Sequence, residues 1–170
     1  MTARRDKGAG RLTRLALLSA IALTIFMVEA QLPAPIPVPG VKLGLANIVT
    51  VYAVVCMGPA DGLMILCTRV FLGAVFSGQM MTLFYSLGGG LLAWLVMCLL
   101  RPVFHREHLW LCSPVAALFH NLGQMLVAAA IMRTWAVLAY LPYLALSGVI
   151  TGLFTGLCTQ FLMARLDRLH

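Results

Sequence analysis

The chain has 170 residues, of which 62% are hydrophobic and only 10% charged, with a formal net charge of +7; that balance lies outside the range of soluble globular domains and points to a membrane protein. A pass through the roughly 30 Å hydrocarbon core takes about 20 apolar residues, so about six passes with short connections would use nearly the whole sequence and leave no room for a soluble catalytic domain. The basic residues cluster at segment ends, which suits membrane orientation and argues against a nucleic-acid partner.

A basic tail, residues 1–11, precedes a first apolar segment over about 12–31. That segment runs on through Glu29 without a small-residue cleavage site, so an uncleaved first helix is expected. Pro33, Pro35, Pro37 and Pro39 then forbid regular helix before Gly40. The second apolar segment covers about 43–57 and is closed by Gly58-Pro59. Asp61 is placed to cap a third, about 62–76, which carries Arg69 in its middle. The fourth, about 80–100, contains Gly88-Gly89-Gly90, where neighbouring helices can approach closely. Ser113-Pro114 reads as the N-cap and first turn of the fifth, about 113–132, which holds His120, Asn121 and Gln124. The sixth spans about 142–163, and its Gly148, Gly152 and Gly156 form one small-residue stripe, read as packing within the chain. The expectation is therefore an all-α integral membrane protein, a six-transmembrane-helix bundle in one domain over 12–166, followed by a short tail, 167–170.

Loop charge fixes the orientation expected of such a bundle. With the N-terminus inside, Arg4, Arg5, Lys7, Arg11, Arg14, Arg101, Arg106, Arg165 and Arg168 face the cytoplasm, against Lys42 and Arg133 outside. Basic clusters at both ends can share a side only if the number of passes is even. Both termini are thus expected in the cytoplasm, with the protein in the cytoplasmic membrane.

Only Asp6, Glu29, Asp61, Glu107 and Asp167 are acidic, and no two are close in sequence. Paired-carboxylate hydrolysis and aspartate-rich magnesium-diphosphate chemistry therefore lack their parts. The GVKLGLAN stretch lacks the spacing and the Ser/Thr of a P-loop, and no Ser/His/Asp motif is present. Cys56, Cys67, Cys98, Cys112 and Cys158 show no metal-binding or CxxC spacing and read as small hydrophobes. No enzymatic activity and no metal are expected.

The informative residues are polar groups at membrane depth, where an ionisable side chain is costly unless it pairs, lines water or meets a ligand. Glu29 falls near the outer end of the first helix, and Lys42 and Asn47 near the outer start of the second. Arg69 is near mid-membrane. His120, Asn121 and Gln124 share one broad helical face by their spacing of three and four. Two readings follow. In one, a polar cavity in the outer half uses Arg69, Lys42 and His120 to draw an anionic or strongly hydrogen-bonding small molecule. In the other, Arg69 pairs with Glu29 or with backbone carbonyls, and His120 and Asn121 make interhelical hydrogen bonds. Asn47 by itself reads as structural, and Tyr85, Tyr140 and Tyr143 as packing or interface-belt residues.

The string Pro39-Gly40-Val41-Lys42-Leu43-Gly44-Leu45-Ala46-Asn47-Ile48 resembles the signature of the Gx transporter family, also called heptaprenyl diphosphate synthase component I. Glu29, Arg69, His120-Asn121-Leu122-Gly123-Gln124 and Tyr140-Leu141-Pro142 fit the same pattern, over about 15–166. That family is similar to the S components of energy-coupling-factor (ECF) transporters, which implies an S-component-like fold with an outward ligand site and separate ATPases. It also implies docking on a transmembrane scaffold through an AxxxA pattern on the first helix, matched here by Ala16 and Ala20. The resemblance implies two further roles: a membrane subunit of flavin- or quinone-linked electron transfer beside a flavinylated extracellular protein, and a non-catalytic accessory of prenyl diphosphate synthesis. A flavin or quinone is the cofactor that the electron-transfer role would bring.

Overall fold

The computed structural model describes residues 2–31, 42, 44–102 and 109–166. The proline run of 33–39, the loop holding Arg106 and the tail 167–170 lie outside the described residues. The described chain is helical: α1 (Thr2–Glu29), α2 (Asn47–Cys56), α3 (Pro59–Ser77), α4 (Met80–Leu100), α5 (Leu109–Met132) and α6 (Leu141–Leu166), with a short 3-10 helix, Trp135–Tyr140, leading into α6. Five of these helices are long and apolar enough to cross a membrane, and α2 is a shorter apolar helix. The chain is a multi-pass helical membrane bundle.

The expected second segment is the one that departs most from a plain span. α2 has 10 residues, about 15 Å of helix, or half the hydrocarbon thickness. Leu43 lies outside the described residues; helix begins only at Asn47 because the backbone bends at Gly44, whose φ is +83°, a conformation that glycine adopts without penalty. Irregular backbone at membrane depth is tolerated where protein surrounds it and satisfies its amides. Both conditions hold: α2 packs against all five other helices, and the amides of Lys42 and Gly44 are bonded to side chains of α5 and α1.

Two expected caps are replaced by other uses of the same residues. α3 starts at Pro59, with Gly58 in the cap position, so Asp61 falls inside the first turn, where its charge still favours the helix dipole. Its carboxylate is gripped by the guanidinium of Arg11 on α1, the one ion pair among the described residues. α5 starts at Leu109, which leaves Pro114 inside the helix, and Ser113 Oγ meets Thr155 Oγ1 of α6 at 2.8 Å. α1 begins earlier than expected, at Thr2, because its basic segment continues the helix instead of forming a separate tail.

α5 packs most extensively on α4 and α6, α1 on α3, and α3 on α2 and α4. The glycines set the closest approaches. A Cβ on Gly123 would lie 2.7 Å from the Gly88 carbonyl oxygen, and one on Gly152 would lie 2.5 Å from Pro114 Cα. Gly148 abuts the Asn121 side chain, and Gly156 is buried, so the α6 glycine stripe is turned inward. Among the described residues one end of the bundle carries exposed Arg11, Arg14, Arg101 and Arg165, the opposite end exposed Arg133. The polar cavity lies towards the second end, where α1 finishes.

Candidate functional site

Phe26, Glu29, Lys42, Gly44, Arg69, Ser86, His120 and Gln124 enclose a cavity of about 10 Å³, room for about one water. Five of the seven residues singled out from the sequence therefore meet around one space: Glu29, Lys42, Arg69, His120 and Gln124. They come from α1, α3, α5 and the connection into α2.

Arg69 lies near the middle of α3 and is 2% exposed. Its Nη2 donates to Asn47 Oδ1 at 3.0 Å, while its Nε is buried without a partner among the described residues. Asn47 thus holds the guanidinium from the first turn of α2 and does not line the cavity. Glu29, the last residue of α1, accepts the Gly44 amide on Oε1 at 2.5 Å. No carboxylate lies within ion-pair distance of Arg69 or Lys42 among the described residues, so the alternative in which Arg69 pairs directly with Glu29 is not met.

Lys42 is held at both ends. Its backbone N–H donates to Gln124 Oε1 at 3.3 Å, and its ammonium lies 3.5 Å from the centre of the Phe26 ring, within cation–π range. Gln124 Nε2 is 2.8 Å from His120 Nε2. An amide nitrogen can only donate and Gln124 Oε1 is already accepting from Lys42, so His120 Nε2 accepts and the imidazole proton sits on Nδ1, towards Gly89. His120 consequently orients Gln124 and brings no positive charge of its own.

Asn121 leaves the group. Its Nδ2 donates to the Leu144 carbonyl at 2.6 Å, tying α5 to the start of α6, because one residue of helix rotation carries it from the α4 side to the α6 side. Three lining residues were not anticipated: Phe26, Ser86 and, as a backbone contributor, Gly44. Ser86 had a signal, a hydroxyl two residues before the Gly88-Gly89-Gly90 run; Phe26 had none. A Cβ at Gly44 would lie 2.9 Å from His120 Cδ2, so the glycine is required by space as well as by its φ.

Away from this cavity, Ala16 and Ala20 are exposed. Together with Leu12, Leu15, Leu23, Met64, Thr68 and others they line an apolar groove of about 370 Å³ between α1 and α3.

A helical membrane bundle with a small, charged cavity towards one end defines an integral membrane protein with a buried polar site. The family model described as heptaprenyl diphosphate synthase component I matches residues 18–162, and the chain belongs to that family. No curated protein and no solved structure matches the chain.

Proposed function

We propose that this chain is a ligand-binding, transporter-like membrane subunit whose cavity takes a small anionic or strongly hydrogen-bonding molecule from outside the cell. The observation that carries the reading is the charge balance of the cavity: two cations, Arg69 and Lys42, against one carboxylate, Glu29, with Arg69 Nε lacking a partner. A buried donor left unmade costs about 1–3 kcal/mol, and ionisable groups at membrane depth are functional by default. Arg69 and Lys42 supply attraction; Gln124, oriented by His120, and Asn47, behind Arg69, fix geometry.

The orientation in this reading comes from positive charge inside, which puts the Arg11, Arg14, Arg101 and Arg165 end in the cytoplasm and the cavity towards the outside. The cavity is smaller than any organic ligand, so loading requires it to widen. Energy comes from partner ATPases through a membrane scaffold seated on the Ala16/Ala20 groove.

Small molecules released from protein purified gently out of native membranes, identified by mass spectrometry, test the reading together with binding to the Arg69→Gln variant. A stoichiometric organic anion, lost in Arg69→Gln while the thermal transition falls by no more than the Asn47 hydrogen bond is worth, about 1–3 kcal/mol, is the expected result. Equal loss of binding and folding overturns it in favour of a structural arginine. A bound flavin or quinone with redox-sensitive absorbance replaces transport by electron transfer. A changed rate or product length in a partner prenyl synthase replaces it by the accessory role that the family description names.

A further inference from the structure

Among the described residues the cavity carries more positive than negative charge. Glu29 spends Oε1 on the Gly44 amide, Lys42 rests its ammonium on a ring, and Arg69 keeps Nε unpaired at 2% exposure. Removing one partner from a buried charge pair is strongly destabilising because the remaining charge is stranded in low dielectric. Here the stranded charge is positive, and the cavity of about 10 Å³ lies beside it. One water fits that space, but a neutral molecule cancels no charge. An organic anion cancels the charge but does not fit that space.

We propose that the closed cavity holds one monoatomic anion, chloride, as a resident counter-ion between Arg69 and Lys42. This deepens the reading of the cavity as an anion site and rests on it. The Arg69 Nε–H and the Lys42 ammonium supply charge-assisted contacts; the flexible lysine stem gives the few tenths of an ångström by which chloride exceeds water. Ser86 borders the same space. The Phe26 ring faces the Lys42 ammonium and leaves chloride to meet the ammonium from the opposite side. Chloride is then the placeholder that the anionic group of an incoming ligand displaces, so loading is an exchange of one anion for another and never leaves Arg69 bare.

The test uses the full chain in detergent, exchanged between chloride, bromide and gluconate at constant ionic strength and pH 7. Thermal unfolding is expected to rise saturably with chloride or bromide, by about 3–6 °C at ten times the apparent Kd, and not with gluconate. Crystals of the bromide form are expected to show an anomalous peak between Arg69 and Lys42. Lys42→Gln, which keeps Arg69 and its Asn47 contact, is expected to weaken the halide effect at least tenfold; this variant serves where Arg69→Gln fails to fold. Equal stabilisation by all three salts, or a bromide form without the peak, overturns the inference. If organic anions still bind in an Arg69-dependent manner while halides do nothing, the resident ion alone falls. If neither class binds, the anion-site reading falls with it.

Discussion

Gly44 and Gly78 both have positive φ, +83° and +66°, yet they should differ when replaced by alanine. A Cβ on Gly78 meets nothing within 4 Å, so Gly78→Ala carries only the left-handed backbone penalty, about 1–2 kcal/mol. Gly44→Ala adds a 2.9 Å contact with His120 Cδ2 and must push the imidazole off Gln124. It should cost at least about 1 kcal/mol more and also weaken ligand binding, whereas Gly78→Ala should leave binding unchanged; thermal unfolding and a binding titration on both variants check this. At this scale the sequence announced the charged members, since Glu29, Lys42 and Arg69 stand out of an apolar background. It did not separate Asn121 from its neighbours, because spacing of three and four defines a broad face and only the position of Leu144 decides on which side a carboxamide bonds.

At the scale of elements, long apolar helices were legible and their ends were not. The limits of α4 match the apolar run because Gln79 and Arg101 bracket it. α2, α3 and α5 differ from the sequence reading because a nonlocal partner decided each start: Glu29 for the Gly44 bend, Arg11 for Asp61, and Thr155 for Ser113. α1 is the helix with the least lateral cover of its length, and its groove against α3 exposes Ala16 and Ala20. Leucine at both positions fills the groove without entering the core. Ala16→Leu with Ala20→Leu should therefore leave thermal stability within about 0.5 kcal/mol, the range of substitutions away from packed features, and should abolish co-purification of a membrane scaffold. Intact co-purification with the double variant would remove this groove as the docking face.

For the whole molecule the open issue is parity, because five helices are long enough to cross while α2 has only 10 residues. The positions of the contacts settle which way the chain runs. Gly44 bonds Glu29 at the finish of α1, and Asp61 in the first turn of α3 bonds Arg11 in the early part of α1. The residues from 44 to 61 therefore travel the bundle back along α1, with α2 as the helical part and the bent connection as the rest; its short helix is compensated by a position surrounded by the other five. The prediction is that α2 counts as a pass and the number is even. Cysteine labelling of whole cells, in a variant with the five natural cysteines replaced, tests it at two exposed positions on either side of α2, Gln31 and Ala60. Gln31→Cys should react with a membrane-impermeant thiol reagent in intact cells, and Ala60→Cys only after lysis. Reaction of both in intact cells would mean that α2 does not return the chain, and the even number of passes and the positive-inside orientation would have to be abandoned together, since both depend on α1 and α3 starting on the same side.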